Sequence, residues 1–340
     1  MTRSDQLTAR LARVALGHFP TALEAAPRLS AEPGFPPVWV KREDQSGLAL
    51  GGNKPRQLEF LMAAALAEGA QAVITTAAAQ SNFCRATAAA GARLGVRVGL
   101  LLRGTGQEAV QGNLLLDRVF GAEIRFIPTQ DPYDPRVTGW LDDFVADFRR
   151  RGLQTHVLHL PGHTGTLGAA AMVCTGEEMA RQFAAQGIAP QAVFLAAGSG
   201  LTVAGLVLAF KALGLPTRVV GVSVQKPAAF IVPLIVERAN AAADLLGLAT
   251  RVSAADFDID DRHIGAGYGV PSAESVAAIQ VAGRSEGLVL DPVYSGKAFA
   301  GLLAQLREGR WRGPAPVVFF HSGGAPGLFA NAALLTEALH

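Results

Sequence analysis

The chain has 340 residues, half of which are hydrophobic, and 38 of them are glycines. This composition is typical of an α/β enzyme with tight turns between strands and helices, and it excludes a disordered or fibrous protein. The net charge is only +2 and the charges are scattered, which argues against a nucleic-acid partner.

Strand and helix patterns alternate along most of the chain. In chain order, the predicted strands are 38–41, 72–76, 96–102, 123–127, 156–160, 192–196, 218–224 and 317–320. The predicted helices are 54–69, 82–95, 112–121, 165–186, 202–213, 271–287 and 296–308. Repeated pairs of an apolar strand and a helix predict an α/β fold with mostly parallel, buried sheets.

A charged, strand-poor segment at 128–151 separates two groups of predicted strands. It begins with turn residues and continues with a helical run. We therefore expect one sheet to end before this segment and a second sheet to begin after it. We therefore predict two domains. Residues 48–160 form a smaller domain, which is inserted into a larger one built from residues 1–47 and 161–340.

The chain carries no clear signal for export or for a membrane. Residues 1–13 contain charges of both signs, unlike a signal peptide. The uncharged stretch 192–210 is broken by Gly198, Ser199 and Gly200, which favours a strand, a turn and a helix over a membrane span. Cys84 and Cys174 are expected to be free thiols, so we predict a cytoplasmic protein with no membrane partner.

Three turns of small or polar residues each follow an apolar strand and open a helix. They lie at residues 78–82, 198–202 and 321–324. Such turns direct backbone N–H groups and a helix dipole at one point, where an anion can bind. Each turn taken singly is also explained by backbone conformation alone. No turn has the spacing of a dinucleotide fingerprint or the lysine of a P-loop.

Lys54 is a sharper signal, because it stands at the start of a predicted helix after two glycines and before Pro55. The glycines allow the backbone to approach a ligand closely. The positive potential at a helix N-terminus should lower the pKa of the amine, and Schiff-base chemistry needs a neutral amine. The alternative is an ordinary solvated lysine at a helix start.

Several motifs in the same order carry a resemblance to a known family. They are found at residues 19–24, 40–44, 47–54, 80–82, 112–117, 267–271, 290–297 and 321–326. With these motifs the chain resembles the family of D-cysteine desulfhydrase and 1-aminocyclopropane-1-carboxylate deaminase. The resemblance implies a pyridoxal-phosphate enzyme with the two-domain tryptophan-synthase-β-like fold, and a cofactor held between the domains.

The resemblance also implies roles for individual residues. Lys54 would carry pyridoxal 5′-phosphate and act as the catalytic base. The expected cofactor-binding residues are Lys54, Asn82, Gly198, Ser199, Gly200, Leu201, Thr202 and Ser322. The expected catalytic and substrate-contacting residues are Lys54, Ser81, Tyr268 and Tyr294. Core packing with one hydrogen bond is the alternative for either tyrosine.

Two positions favour elimination over cyclopropane opening. Ser295 and Ser322 stand where the deaminase pattern has Glu and Leu, and the desulfhydrase pattern has hydroxyl residues at both places. A neutral hydroxyl near the pyridine nitrogen makes the ring a weaker electron sink, which suits β-elimination. Other positions depart from the family pattern and leave the substrate open, namely Phe83, Gln57, Leu201 and the turn at 162–165.

The acidic run Asp256, Asp258, Asp260 and Asp261 with His263 resembles a metal cluster at first sight. Alternate acidic residues are also typical of the solvent face of a strand, and no known ligand spacing is matched. We therefore predict no metal site.

The sequence predicts a pyridoxal-phosphate-dependent lyase that removes a β-substituent from a small amino acid and gives a 2-oxo acid and ammonia. The alternatives are a 1-aminocyclopropane-1-carboxylate deaminase, a cysteate sulfo-lyase, or a non-catalytic protein that binds the cofactor or an amino acid. By resemblance, a homodimer is expected.

Overall fold

The computed structural model describes residues 7–131, 134–159 and 162–339. Within them the strands are β1 (Leu23–Ala25), β2 (Val38–Lys41), β3 (Ala72–Ala78), β4 (Arg97–Arg103), β5 (Glu123–Ile127), β6 (Thr155–Leu158), β7 (Ala192–Ala197), β8 (Arg218–Ser223), β9 (Phe257–Asp260) and β10 (Val317–Phe320). The end of the predicted strand 156–160 lies outside the described residues.

The helices are α1 (Pro27–Ser30), α2 (Lys54–Ala67), α3 (Asn82–Leu94), α4 (Gly112–Val119), α5 (Arg136–Arg150), α6 (His163–Ala185), α7 (Leu201–Ala212), α8 (Ala228–Leu246), α9 (Ala273–Glu286), α10 (Ser295–Arg307), α11 (Ala325–Ala330) and α12 (Ala332–Leu339). Short 3₁₀ helices lie at Glu43–Gln45, Leu48–Leu50 and Ala254–Asp256.

The strands form two sheets, as the α/β prediction requires. One has six strands in the order β1-β2-β10-β7-β8-β9, and the other has four in the order β5-β4-β3-β6. All neighbouring strands run parallel except β1 and β2, which are antiparallel. Parallel strands need crossover helices on both faces, which explains their nearly continuous hydrophobic sequences.

The two sheets use different parts of the chain. All four strands of the smaller sheet lie within 72–158, and the larger sheet takes strands from both sides of that stretch. This arrangement is compatible with the predicted insertion of 48–160. The predicted boundary itself, between residues 160 and 161, lies outside the described residues.

Helix α7 is deeply buried. Its residues from Leu201 to Phe210 are all buried, which explains the uncharged stretch noted in the sequence. It packs tightly on α6, where a Cβ at Gly205 would come within 2.5 Å of the Ala169 carbonyl oxygen. In the described part of the chain, no helix is both long and apolar enough to cross a membrane.

The sequence reading missed helix α8. Pro227 stands just before the helix and Pro233 interrupts its hydrophobic pattern, yet the helix continues through Pro233 to Leu246. Its apolar face packs on α6 and α7, with Ile235 and Ala239 completely buried. Tertiary packing therefore outweighs the cost of an interior proline here.

The expectation for the acidic run was wrong in one respect. Residues Phe257–Asp260 do form an edge strand, but Asp260 is buried and binds Arg262 and Gln305. Asp258 and Asp256 form ion pairs with basic residues of the neighbouring elements. Across the described residues, no group of three His, Cys, Asp or Glu side chains is arranged to hold a metal ion.

Candidate active site

The loop that precedes α2 contacts two of the predicted turns and the helix that follows the third. The Asn53 N–H donates to the carbonyl oxygen of Ser322 at 3.1 Å, and the Asn53 side chain donates to Thr202 Oγ1 at 2.8 Å. Arg85 of α3 donates to the Gly51 carbonyl at 2.9 Å. A single short loop is thus hydrogen-bonded to elements that follow β3, β7 and β10, at the carboxyl ends of both sheets.

Gly52 and Gly323 allow this convergence. A Cβ on Gly323, whose φ is +87°, would lie 2.6 Å from the Gly52 Cα atom. Such a contact is closer than any real Cβ makes. Only glycine therefore lets the loop before Lys54 touch the turn after β10.

Lys54 is the first residue of α2 and is half-buried. Burial, and then the nearby charge of Arg85, lower the pKa of its amine to about 8. Within the described residues the amine makes no hydrogen bond. A measurable share of it is therefore neutral at pH 7 and free to attack an aldehyde.

The chain has five lysines, and the other four are engaged in contacts. Lys41 pairs with Glu178, Lys211 pairs with Asp256, and Lys297 donates to two carbonyl groups. Lys226 lies over the ring of Phe230, 5.1 Å from its centroid. Lys54 is thus distinguished from the rest by its environment as well as by its motif.

The turn at Gly198, Ser199 and Gly200 is held from its outer side. Gln225 donates to the Gly198 carbonyl at 3.1 Å, and Arg238 donates to the Ser199 carbonyl. Gly200 has a φ of +80°, and a Cβ there would lie 2.7 Å from Ile235. The carbonyls are turned away in this arrangement, and the first N–H groups of α7 remain without intrahelical acceptors, as at any helix start.

Leu201 departs from the glycine that the family pattern has in this turn, and the structure explains how it is accommodated. Its side chain is buried in the core of the larger sheet. A Cβ on Gly168 of α6 would meet it at 3.1 Å. Leu201 therefore offers only its backbone N–H at the turn, and the side chain serves packing.

Asn82 and Ser81 occupy the turn after β3. Ser81 caps α3 by accepting hydrogen bonds from the N–H groups of Phe83 and Cys84, both at 3.2 Å. Its hydroxyl can still donate one hydrogen bond. Asn113 donates to Asn82 Oδ1 at 3.1 Å and so fixes the orientation of that amide, which leaves its NH₂ group directed elsewhere.

Phe83 and Cys84 differ from the family pattern, and both differences are explained by packing in the hydrophobic core. Both side chains are buried in the hydrophobic cluster of the smaller sheet. Burial raises the pKa of the Cys84 thiol strongly, so this thiol is unreactive. Gln57 is buried as well, and its Nε2 atom has no hydrogen-bond partner in the described part of the chain.

Tyr268 and Tyr294 come together although they are 26 residues apart. Their hydroxyls are hydrogen-bonded, and their rings meet edge to face with centroids 5.9 Å apart. A Cβ on Gly198 would lie 3.4 Å from the Tyr294 ring, which places the pair beside the glycine turn. Burial raises the pKa of both phenols, so both keep their protons at neutral pH.

Two residues that the sequence reading passed over hold these tyrosines. Asp291 accepts from the Tyr294 N–H and from both the N–H and the hydroxyl of Ser295. Lys297 donates to the carbonyls of Ile264 and Gly267, at 2.7 and 3.0 Å, and so anchors the loop that leads to Tyr268. Both residues lie inside a recognised motif, but their partners are visible only in the fold.

The Ser295 contact bears on the choice between elimination and cyclopropane opening. Its hydroxyl is completely buried and is bound to Asp291 at 2.6 Å, so it serves the start of α10. Ser322 contributes its backbone carbonyl to the Asn53 loop. Burial lowers the pKa of the neighbouring His321 to about 4, so that ring is neutral at pH 7.

Comparison with known proteins gives the chemistry of this site. The family model described as pyridoxal-phosphate dependent enzyme matches residues 14–323. The chain belongs to this family. A D-cysteine desulfhydrase of Klebsiella pneumoniae (strain 342) is 37% identical over 96% of this chain and 98% of its own. Another, from Serratia proteamaculans (strain 568), is 36% identical with the same coverage of both chains.

A solved structure gives the same answer for the fold. The crystal structure described as the ACC deaminase homologue superposes with a TM-score of 0.89 at 33% sequence identity, over 99% of both chains. The predicted family, fold and cofactor are thus confirmed. The protein is a pyridoxal-phosphate-dependent lyase of the tryptophan-synthase-β-like fold.

The residues of the site fit this cofactor. An amine with a lowered pKa, a glycine turn that includes the left-handed Gly200, and the start of α7 lie around one loop. These are the groups that an aldehyde with a phosphate tail requires.

Proposed function

We propose that the protein catalyses β-elimination from a small amino acid, with D-cysteine as the leading substrate and Lys54 as the cofactor-bearing lysine. The observation that supports this proposal most strongly is the environment of the Lys54 amine. This amine makes no hydrogen bond within the described residues, and burial lowers its pKa to about 8. D-cysteine is proposed as the substrate because the chain is similar over nearly its whole length to D-cysteine desulfhydrases.

The cofactor would be held by groups from three turns. The N–H groups of Gly200, Leu201 and Thr202 would bind the phosphate, with Gly198 and Ser199 shaping the turn. The Asn53–Thr202 hydrogen bond would keep this turn at a fixed position relative to Lys54. Two further residues would contact the cofactor ring: Asn82 at the ring hydroxyl and Ser322 near the ring nitrogen. Ser81 would bind the substrate carboxylate.

Bound pyridoxal phosphate supplies the electron sink that makes the α-proton of an amino acid acidic. Once released from the cofactor, the Lys54 amine would accept that proton at its Nζ atom. The protonated Tyr268 and Tyr294 would donate a hydrogen bond to the departing sulfur. For cysteine, one water is consumed and the products are a 2-oxo acid, ammonia and hydrogen sulfide.

A substrate panel on the purified, cofactor-loaded protein tests the proposal. It contains both enantiomers of cysteine, cysteate and β-chloroalanine, together with 1-aminocyclopropane-1-carboxylate because of the solved neighbour. Release of a 2-oxo acid and ammonia from D-cysteine is the expected result. Turnover of the cyclopropane alone would assign the deaminase reaction instead, and a protein that holds the cofactor but turns over nothing would be a binding protein.

The position of the linkage is tested separately. Borohydride reduction followed by peptide mapping should label Lys54. Lys54→Ala should lose the label, whereas Lys211→Ala should keep it, because Lys211 is exposed and paired with Asp256 at the C-terminal end of α7. A label on any other lysine would contradict the assignment.

We also propose that the enzyme works as a cytoplasmic homodimer. The two cysteines are buried and unlinked, which suits a reducing compartment. The dimer is supported by family resemblance alone, and light scattering during size-exclusion chromatography would test it. A monomeric mass at micromolar concentration would refute it.

A further inference from the structure

Arg103 is a buried cation at the edge of the proposed site, and it has no ion-pair partner in the described part of the chain. It ends β4 and pairs in register with Ala78 of β3. Ala78 in turn accepts the N–H of Ser81 through its carbonyl, at 3.0 Å. Arg103 therefore stands at the carboxyl end of the smaller sheet, next to the turn that carries Ser81 and Asn82.

The guanidinium of Arg103 makes no ion pair within the described residues. The residue is only 9% exposed, and its Nε atom is buried without a hydrogen-bond partner. The nearby carboxylate of Glu108 lies beside Gly104, but it accepts from the N–H groups of Thr105 and Gly106 instead. A buried cation without an anion is costly, so a ligand that supplies one would bind favourably.

The position of Arg103 relative to the tyrosines indicates which part of a substrate it would meet. Burial raises the pKa of Tyr268 and Tyr294, and the charge of Arg103 acts on both in the opposite direction. The guanidinium therefore lies within electrostatic range of the two hydroxyls, at the carboxyl end of the smaller sheet. In the proposed function the substrate α-carboxylate would bind at Ser81, whose hydroxyl caps α3 and can still donate one hydrogen bond.

We propose that Arg103 binds the β-substituent of the substrate as an anion, so that the enzyme favours amino acids whose β-carbon carries a negatively charged group. A sulfonate, a carboxylate or an ionised thiol meets this description, and a halide substituent does not. This inference rests on the proposed β-elimination. The inference further specifies that the leaving group is negatively charged, a property that the family assignment leaves open.

The elimination of cysteate illustrates the step. The α-proton moves to Lys54 Nζ, the Cβ–S bond breaks, and sulfur leaves with the bonding pair as sulfite. One water then converts the remaining three-carbon enamine to a 2-oxo acid and ammonia. Arg103 would hold the sulfonate before cleavage and the sulfite after it, through charge-assisted hydrogen bonds that a planar guanidinium can make in pairs.

Turnover by matched variants tests the inference. In Arg103→Met, kcat/KM for cysteate should fall by about 10- to 100-fold, the range of a charge-assisted hydrogen bond. The loss for β-chloroalanine should be several-fold smaller. Arg103→Lys should recover part of the cysteate activity, because lysine keeps the positive charge but lacks the paired N–H donors of the planar guanidinium. Arg97→Met, on the exposed opposite end of β4, serves as the control.

Binding gives a second readout that needs no turnover. Aspartate and alanine can be titrated into the holoenzyme and followed by the change in cofactor absorbance. Wild type should bind aspartate more tightly than alanine, and Arg103→Met should remove this preference. Equal losses for both ligands would mean that Arg103 binds the α-carboxylate, and unchanged affinities for both would mean that it binds neither group; either result overturns the inference.

The two proposals fail in distinguishable ways. If wild type releases no 2-oxo acid from any amino acid, the proposed function fails while the aspartate titration still tests Arg103. If wild type is active but the ratio of cysteate to β-chloroalanine activity is the same in Arg103→Met, only the anion inference fails. Thermal unfolding and cofactor absorbance of the variant verify that it is folded and loaded.

Discussion

The lowered pKa of Lys54 predicts how fast the cofactor-free protein captures an aldehyde at each pH. Capture needs the neutral amine. With a pKa of about 8, about 9% of the amine is neutral at pH 7, against about 0.04% for an ordinary lysine with a pKa of about 10.4. The structure therefore predicts capture about 200-fold faster than at an exposed lysine of equal access.

The pH profile carries the test. The protein is stripped of cofactor, mixed with pyridoxal phosphate in rapid-mixing experiments from pH 6 to pH 10, and followed by absorbance. The rate should rise about tenfold per pH unit below the inflection and level off above about 8. Because the charge of Arg85 contributes to the shift after burial, Arg85→Met should move the inflection to higher pH.

Two controls complete the experiment. Lys211→Met should leave the profile unchanged, since this lysine is exposed and paired on the surface. An inflection near the pKa of a free lysine would refute the reasoning, because it would mean that burial and Arg85 do not act on the reacting amine. So would an unchanged inflection in Arg85→Met that is folded and captures the cofactor.

Three further variants address the contacts that hold the site. Arg56→Met removes the main partner of the buried Glu43 and leaves Glu178 with Lys41 alone, and it should cost about 3–5 kcal/mol, which for 340 residues lowers Tm by about 4–7 °C in calorimetry. Lys297→Met frees the carbonyls of the loop before Tyr268, so kcat should fall more than cofactor affinity in paired kinetic and absorbance measurements. Asn53→Ala removes the bond to the phosphate turn and should weaken cofactor binding several-fold in equilibrium dialysis.

The Arg56 variant has a pH dependence and a matched control. Burial alone would raise the pKa of Glu178, but the charges of Arg56 and Lys41 hold it below its usual value. A depressed pKa contributes stability above the unfolded value, so the deficit of Arg56→Met should shrink as the pH falls below about 4.3. Arg251→Met breaks an exposed ion pair and should change Tm by less than about 2 °C. Equal shifts in both variants would contradict the buried-network argument.

The sequence predicted the strand–turn–helix units and the residues of the motifs well. Strands β2, β5 and β10 begin and end as predicted, and α2 starts at Lys54. These features depend on local hydrophobic period and turn chemistry, which a single chain displays directly. The start of α6 was set two residues too late, and α8 was missed because its prolines imitate a break.

The partners of the motif residues could not be read from the sequence. Nothing local indicates that Asn53 binds Thr202, 149 residues away, or that Lys297 anchors the loop before Tyr268. The hydroxyl of Ser295 was interpreted as a group near the cofactor ring, yet it is bound to Asp291. Such pairings depend on which strand ends meet across the fold.

The sequence by itself determined the order of elements, the cofactor family and the lysine that stands in its motif. Only the tertiary structure decided that the amine of this lysine has a lowered pKa and that, among the described residues, neither this amine nor the buried Arg103 has a carboxylate partner. The reason is physical. Local patterns are set by neighbours along the chain, whereas burial and charge compensation are set by residues that only folding brings into contact.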